Sequence, residues 1–191
     1  MDDKTLVKSF RAQFWSFDLI FSVVIFSAAI TVLAYSWYNI NSQLAGAYSS
    51  TSTLLQLQSQ ALSQNLMSPG EPGNWQSTVN TLSTSNWGNV GIGLATSSSN
   101  SSISAGKLYT LMSMANYNYQ ATKTPMGIAF DYYITIASGP NSANALNVSI
   151  GLNPATNGAL SVYSQRLSSV LNGVPVVVTV KVWTASPFAL G

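Results

Sequence analysis

Charge is scarce in this chain. Only 6% of its 191 residues are Asp, Glu, Lys or Arg, against about 25% in ordinary soluble domains. A net charge of +2 is too small to point to nucleic acid. Cysteine is absent, which excludes a disulfide framework and thiol chemistry. Histidine is absent too, and with it the commonest general base and the commonest metal ligand. With neither His nor Cys, the usual nucleophile–base pairs cannot form, however abundant serine is.

What remains offers little chemistry. Glu71 and Asp131 are the carboxylates available for an acid/base pair, but one sits in a Pro/Gly turn and the other in a strand-like run. "GNVGIG" lacks the P-loop lysine and the dinucleotide signature, so it reads as a loop. No carboxylate cluster suggests a metal loop. The sequence implies neither an enzyme nor a cofactor. Hydrophobic residues still make up 47%, so the chain is not of the disordered, charge-rich kind. Its polarity comes from Ser, Thr, Asn and Gln.

The few charges are unevenly placed. Asp2, Asp3, Lys4, Lys8, Arg11 and Asp18 lie near the start, and Leu19 to Trp37 carries no charge. As a helix that stretch rises about 28 Å, close to the hydrocarbon thickness of a bilayer. Trp15 at one edge and Trp37 with Tyr38 at the other match interfacial aromatic belts, and the basic residues ahead of it place the N-terminus in the cytoplasm and everything after Ile40 outside. Three readings fit. A cleaved secretory signal would use Ser27 and Ala29 at its cut, but the apolar run continues past them. A signal anchor explains the features up to Ile40. A third reading makes the stretch the first half of a longer helix.

The residues after Ile40 bear on that choice. Leu44, Tyr48, Thr51, Leu55, Leu62 and Leu66 recur at helical spacings, with Leu54, Leu57 and Ala61 widening the stripe. The next proline is Pro69. One helix is expected from about Lys4 to Met67, with a bend allowed at Gly46. Its Ser and Thr residues lower intrinsic propensity, so it needs packing to persist. "SPGEPGNW" then stops it.

Beyond the stop, the polar tract Thr96 to Ser104 reads as an exposed loop or mucin-like stretch. Asn100 and Asn147 begin N-glycosylation sequons. Ser104 is placed to cap a helix over Ala105 to Tyr117 with Leu108, Leu111, Met112 and Ala115 inward. Four β-rich runs follow: Gly127 to Ala137, Ala145 to Leu152, Ala159 to Leu167 and Val174 to Trp183. In the last, Val176, Val178, Val180 and Val182 form the core-facing set. Short connections argue for a mainly antiparallel sheet wrapped on a helix, an α+β head.

The basic head followed by "RAQFWSFDLIFSVVIF" resembles the class III signal peptide of archaeal type IV pilin-like proteins. The turn before Trp75, the Lys107-bearing helix, the "GIAFDYYI" strand and the Val-rich strand ending in Trp183 are similar to the heads of some of these proteins. The resemblance implies a leader over residues 1–12 cut at Ala12–Gln13, a long helix over 13–67 whose part 14–40 serves membrane and filament core, and an extracellular head over 68–191. It also implies a homopolymer of many copies stored in the membrane and assembled into a surface filament. Phe14, Trp15, Phe17, Phe21 and Phe26 would fill the filament core, and Asp18 would meet a positive group on a neighbour, Arg11 or Lys8 if the leader is retained. A monomeric membrane-anchored surface protein and a minor pilin are the alternatives.

Overall fold

The computed structural model describes residues 3–139 and 145–185. Helix α1 spans Asp3–Leu66, in agreement with the expected 4–67. The chain divides into two compact units, Met1–Gly46 and Ala47–Gly191, so Gly46, where a bend was allowed, is where they meet. The second half of α1 belongs to the head unit. The sequence reading had set that boundary after residue 67.

In the head unit, strands β1 (Ala95–Ser97), β2 (Asn100–Ile103), β3 (Asp131–Ser138), β4 (Asn147–Gly151), β5 (Ser161–Leu171) and β6 (Val174–Thr184) accompany helix α2 (Ala105–Met126). They form one six-stranded sheet in the order β1-β2-β5-β6-β3-β4. Every pairing is antiparallel except β2 with β5. The fold is thus α+β, a long N-terminal helix followed by a mixed, mainly antiparallel sheet, the layout expected of a pilin-like chain.

The inner face of the sheet carries Tyr132, Ile134 and Ile136 from β3 and Val176, Val178, Val180 and Val182 from β6, all buried. They share one core with Leu55, Leu62 and Leu66 of α1 and with Leu108, Leu111 and Met114 of α2. The period-2 set read from the last strand is therefore the core face. Trp183, on the opposite parity, is buried as well, because the chain leaving β4 passes over it and the Leu152 carbonyl accepts its indole N–H at 3.0 Å. Between β5 and β6 the two-residue turn Asn172–Gly173 has φ of 51° and 80°, the left-handed pair that matches strand twist and that Asn-Gly adopts at least cost.

Three expectations need correction. The tract Thr96 to Ser104 is a β-hairpin, not an open loop: β1 pairs with β2, and β2 lies along β5. Its serines hide a strand because their β propensity is weak, and pairing with β5 overrides it. On α1 the buried positions are Thr51, Leu55, Ser59, Leu62, Ser63 and Leu66, whereas Leu54, Leu57 and Ala61 are exposed. Apolar character alone had assigned these three to the core side; the head uses two small serines there instead. On α2 Met114 is fully buried, while Met112 and Ala115 are only partly covered.

Helix α2 begins as its sequence suggests. The Ser104 hydroxyl accepts from the Lys107 amide, an N-cap of ordinary type. The helical geometry breaks at Asn118 (φ −152°, ψ 92°), whose side-chain oxygen accepts from the Ala121 amide and caps a second segment. Gly127 closes that segment in the left-handed conformation at φ 68°, where a side chain would be strained.

The last carbonyls of α1 find partners in the extended tract after Trp87. Leu94 N–H donates to the Leu66 carbonyl at 2.8 Å and Ala95 N–H to the Ser68 carbonyl at 3.0 Å. Trp75, wholly buried, donates its indole N–H to the Gly93 carbonyl at 2.8 Å. Lys107, although buried, is not orphaned: its ammonium donates to the Pro69 carbonyl at 2.7 Å and the Ala95 carbonyl at 2.8 Å. Burial still lowers its pKa. One lysine thus ties the chain leaving α1 to β1 and the start of α2.

A second polar group lies where α2 meets β3. Lys123 pairs with Asp131 at 2.6 Å. The Tyr119 hydroxyl donates to Asp131 at 3.1 Å and accepts from the Tyr132 amide at 2.8 Å. The Tyr132 hydroxyl and Thr122 hydroxyl are 2.6 Å apart in the core. Burial pushes the Tyr132 phenol up to about 12. It pushes Tyr119 higher still, with Asp131 adding to the effect. Both phenols are thus raised in the folded state. Their contribution is fully present below the ordinary tyrosine value near 10 and is lost as pH rises above it, because the unfolded chain releases those protons first. Chemical denaturation of the detergent-solubilised chain should show stability falling between about pH 10 and 12, by up to about 1.4 kcal/mol per pH unit from Tyr132, with Tyr119 adding a smaller part because solvent reaches it. Stability that stays flat over that window would contradict the assignment.

Candidate assembly helix

The first half of α1 is exposed along its described residues. From Phe17 to Ile40 its side chains are exposed throughout, including Phe17 at 58%, Phe21 at 63% and Phe26 at 67%. The best 18-residue stretch reaches a mean hydropathy of 2.3 with none of it buried, so the helix is long and apolar enough to cross a membrane. One hydroxyl within it is compatible with that setting. Thr31 donates to the Ser27 carbonyl one turn back at 2.8 Å, so that O–H does not face hydrocarbon unsatisfied.

Asp18 is exposed and stands three residues before Phe21, on the same helical face. The side chains of Ala12, Gln13, Phe14 and Trp15 lie outside the described residues, although their backbone is helical. Ala28, Ala29, Ala34 and Gly46 are exposed. They give α1 places where another helix backbone could approach closely.

The exposed apolar surface does not stop at the membrane-length segment. Leu44 is 37% exposed, and in the head unit Leu54 at 40% and Leu57 at 56% project from α1 with Ala61 one turn on. Positions 54, 57 and 61 share one face by their 3-and-4 spacing. The buried set, 51, 55, 59, 62 and 66, forms a different one. The head half of the helix therefore has two apolar stripes, one in the core and one outward. Sequence reasoning merged the two; a strict helical projection would have separated them.

A cleft of about 380 Å³ between α2 and β4 is lined by Met112, Ala115, Asn116, Tyr119 and residues 149–152. Its one titratable group, Tyr119, is held by Asp131 and the Tyr132 backbone. Asp131 is engaged by Lys123, and Glu71 bridges Gly91 through its backbone, so the structure gives each carboxylate its own local setting. Among the described residues there is no cluster of metal-ligating side chains.

Of the two sequons, Asn147 is exposed at the start of β4. Asn100 begins β2, and its side chain lies outside the described residues. The class defined here is an α+β protein with a long, uncovered, N-terminal apolar helix. No family model matches the chain, and no curated protein or solved structure does.

Proposed function

We propose that this chain is a structural subunit of an extracellular filament resembling an archaeal type IV pilus, polymerising through its N-terminal helix. The observation that carries the reading is the outward stripe Leu54, Leu57 and Ala61. A bilayer covers about 20 residues of helix, which accounts for the exposed run from Phe17 to Ile40. It does not account for an apolar stripe within the head unit, on the side of the helix turned away from the core. Neighbouring copies cover both. The helix is held in the membrane with its N-terminus cytoplasmic and its head outside. On assembly, helices pack against one another in place of lipid and the heads form the sheath. Packing between helices then rests on small residues and fit rather than on a hydrophobic gradient.

Electron microscopy of material sheared from native cells, with peptide mass mapping, tests the reading. Regular filaments made mainly of this chain are expected, and the N-terminal peptide reports whether Ala12–Gln13 is cut. Intact chain found only in the membrane would favour a monomeric anchored surface protein.

Asp18 supplies a sharper test. A carboxylate at the edge of the hydrocarbon is costly unless paired or hydrated. Pairing with a cation of a neighbour would make it an assembly contact. Asp18→Asn should still insert in the membrane and yet give no filaments; normal filaments from this variant would remove the pairing.

A further inference from the structure

We infer that in the polymer Glu71 of one copy pairs with Arg166 and Lys181 of the next; this rests on the reading that the chain assembles with itself. The head is so poor in charge that each charged side chain has an identifiable place. From residue 68 onward the sequence carries Glu71, Lys107, Lys123, Asp131, Arg166 and Lys181. Lys107 is buried, and its ammonium is taken by the Pro69 and Ala95 carbonyls. Lys123 and Asp131 hold each other at 2.6 Å. One acid and two bases remain, and no ion pair among the described residues includes them.

The two bases are neighbours. Strand register sets Arg166 of β5 opposite Thr179 of β6, and Ser164 opposite Lys181. Arg166 and Lys181 are therefore a diagonal pair on one face of the sheet, within reach of each other's long side chains. Their parity is opposite to that of buried Val178, Val180 and Val182, so this face is turned away from the core. Arg166 is exposed and Lys181 is half-buried. The register surrounds them with Ser164, Ser168, Thr135 and Thr179, all small and uncharged. Asp131 lies diagonal to Lys181 across β3 and β6, but Lys123 and the Tyr119 hydroxyl already engage it. Like charges side by side on a sheet repel, and an anion seated over both relieves that repulsion.

Glu71 is the matching anion. It lies in the turn that leaves α1, and residues 71–74 are all exposed. The turn is fixed through its backbone. The Glu71 amide donates to the Gly91 carbonyl at 2.8 Å, and the Gly91 amide donates to the Glu71 carbonyl at 2.7 Å. A carboxylate presented from a fixed base loses less entropy when it is bound. Glu71 stands beside Asn65, Ile92 and Pro125, at the ends of the two helices that cover the inner face of the sheet. Arg166 and Lys181 are on the opposite face, so two copies rather than one head bring the charges together.

The acidic and basic patches are unlike surfaces, which makes the contact heterologous. Each copy offers its acid to one neighbour and its bases to another. Such contacts build rings or open filaments, not closed two-fold dimers. An isolated exposed ion pair is weak, but one carboxylate meeting two cations is a small network. It also sets register, because a shifted neighbour would bring like charges together.

Charge reversal in native cells tests the pairing, with filaments in sheared material counted by negative-stain microscopy. Glu71→Arg alone, and Arg166→Glu with Lys181→Glu, should each cut the yield about tenfold or more. The chain carrying all three reversals should regain it. Thermal melting of each solubilised chain reads folding separately. One-sided reversals with wild-type yield overturn the inference and leave the polymer standing. So does a triple variant that melts like wild type yet assembles no better than they do. Wild-type cells without filaments of this chain remove the polymer and the pairing together. A second measurement needs no variant. Carbodiimide joins a carboxylate to an amine in direct contact, so treated wild-type filaments should yield a Glu71–Lys181 crosslink that detergent-solubilised chain lacks. The crosslink in both samples, or in neither, overturns the inference.

Discussion

Leu57→Glu is expected to eliminate filaments while leaving the head as stable as wild type. Leu57 is 56% exposed in the single chain, and substitutions at such positions usually change stability by no more than about 0.5 kcal/mol. In the proposed polymer the same side chain is covered by a neighbour. Losing its burial costs about 2 kcal/mol, and desolvating a carboxylate without a partner adds at least as much again. A combined loss of about 4 kcal/mol per subunit raises the concentration needed for assembly roughly a thousandfold. Negative-stain microscopy of sheared cells reads the filaments, and thermal melting of the solubilised chain reads the head. Abundant filaments from Leu57→Glu would show that the outward stripe is not an assembly surface. A head that melts early would show instead that Leu57 belongs to the core.

Gly93→Ala is expected to damage the head severely. A Cβ at Gly93 would fall on the Ser68 carbonyl oxygen and the Gly70 nitrogen, both backbone atoms with no rotamer to yield. The tract must then move away from the end of α1. That motion puts at risk the Leu94 and Ala95 bonds to the α1 terminus and the indole bond of buried Trp75. Together these place the cost at about 4 kcal/mol or more, the range reserved for named structural failures. For a domain of this size the melting temperature should drop by about 10 °C or more. Gly73→Ala and Gly88→Ala, where the added methyl meets nothing within 4 Å, are the controls and should stay within about 0.5 kcal/mol of wild type. A small effect at Gly93 would mean that the close approach between this tract and the α1 terminus is not a feature of the folded protein.

Much of this architecture was legible one element at a time. The charge-free run after Asp18, the stop at "SPGEPGNW", the Ser104 cap and the Val alternation of β6 are local signals, each set by a period or a cap within a few residues. They led to α1, α2 and β3 to β6, but α2 runs on from the expected end at Tyr117 to Met126, past the break at Asn118, and β3 begins at Asp131 rather than Gly127 while β5 ends at Leu171 rather than Leu167. The hairpin β1–β2 was missed because its sequence is serine-rich. Its strand character comes from β5, far along the chain, and no local pattern announces that partner. The assembly residues were legible as a class, apolar and helical, and a helical projection separates 54, 57 and 61 from 55, 62 and 66; which of the two stripes faces the core was not legible.

The sequence by itself determined that a long apolar helix opens the chain, that an α+β head follows, and that the usual thiol and histidine chemistry is excluded, since composition and periodicity act through neighbours a few positions apart. The tertiary structure alone decided which leucines of α1 are spent on the core and which remain outward. It also decided which carbonyls Lys107 satisfies and that β4 ends the sheet with its sequon facing out. Those outcomes depend on strand order and on contacts between residues remote in sequence, and the order β1-β2-β5-β6-β3-β4 is a property of the packed chain rather than of any segment in it.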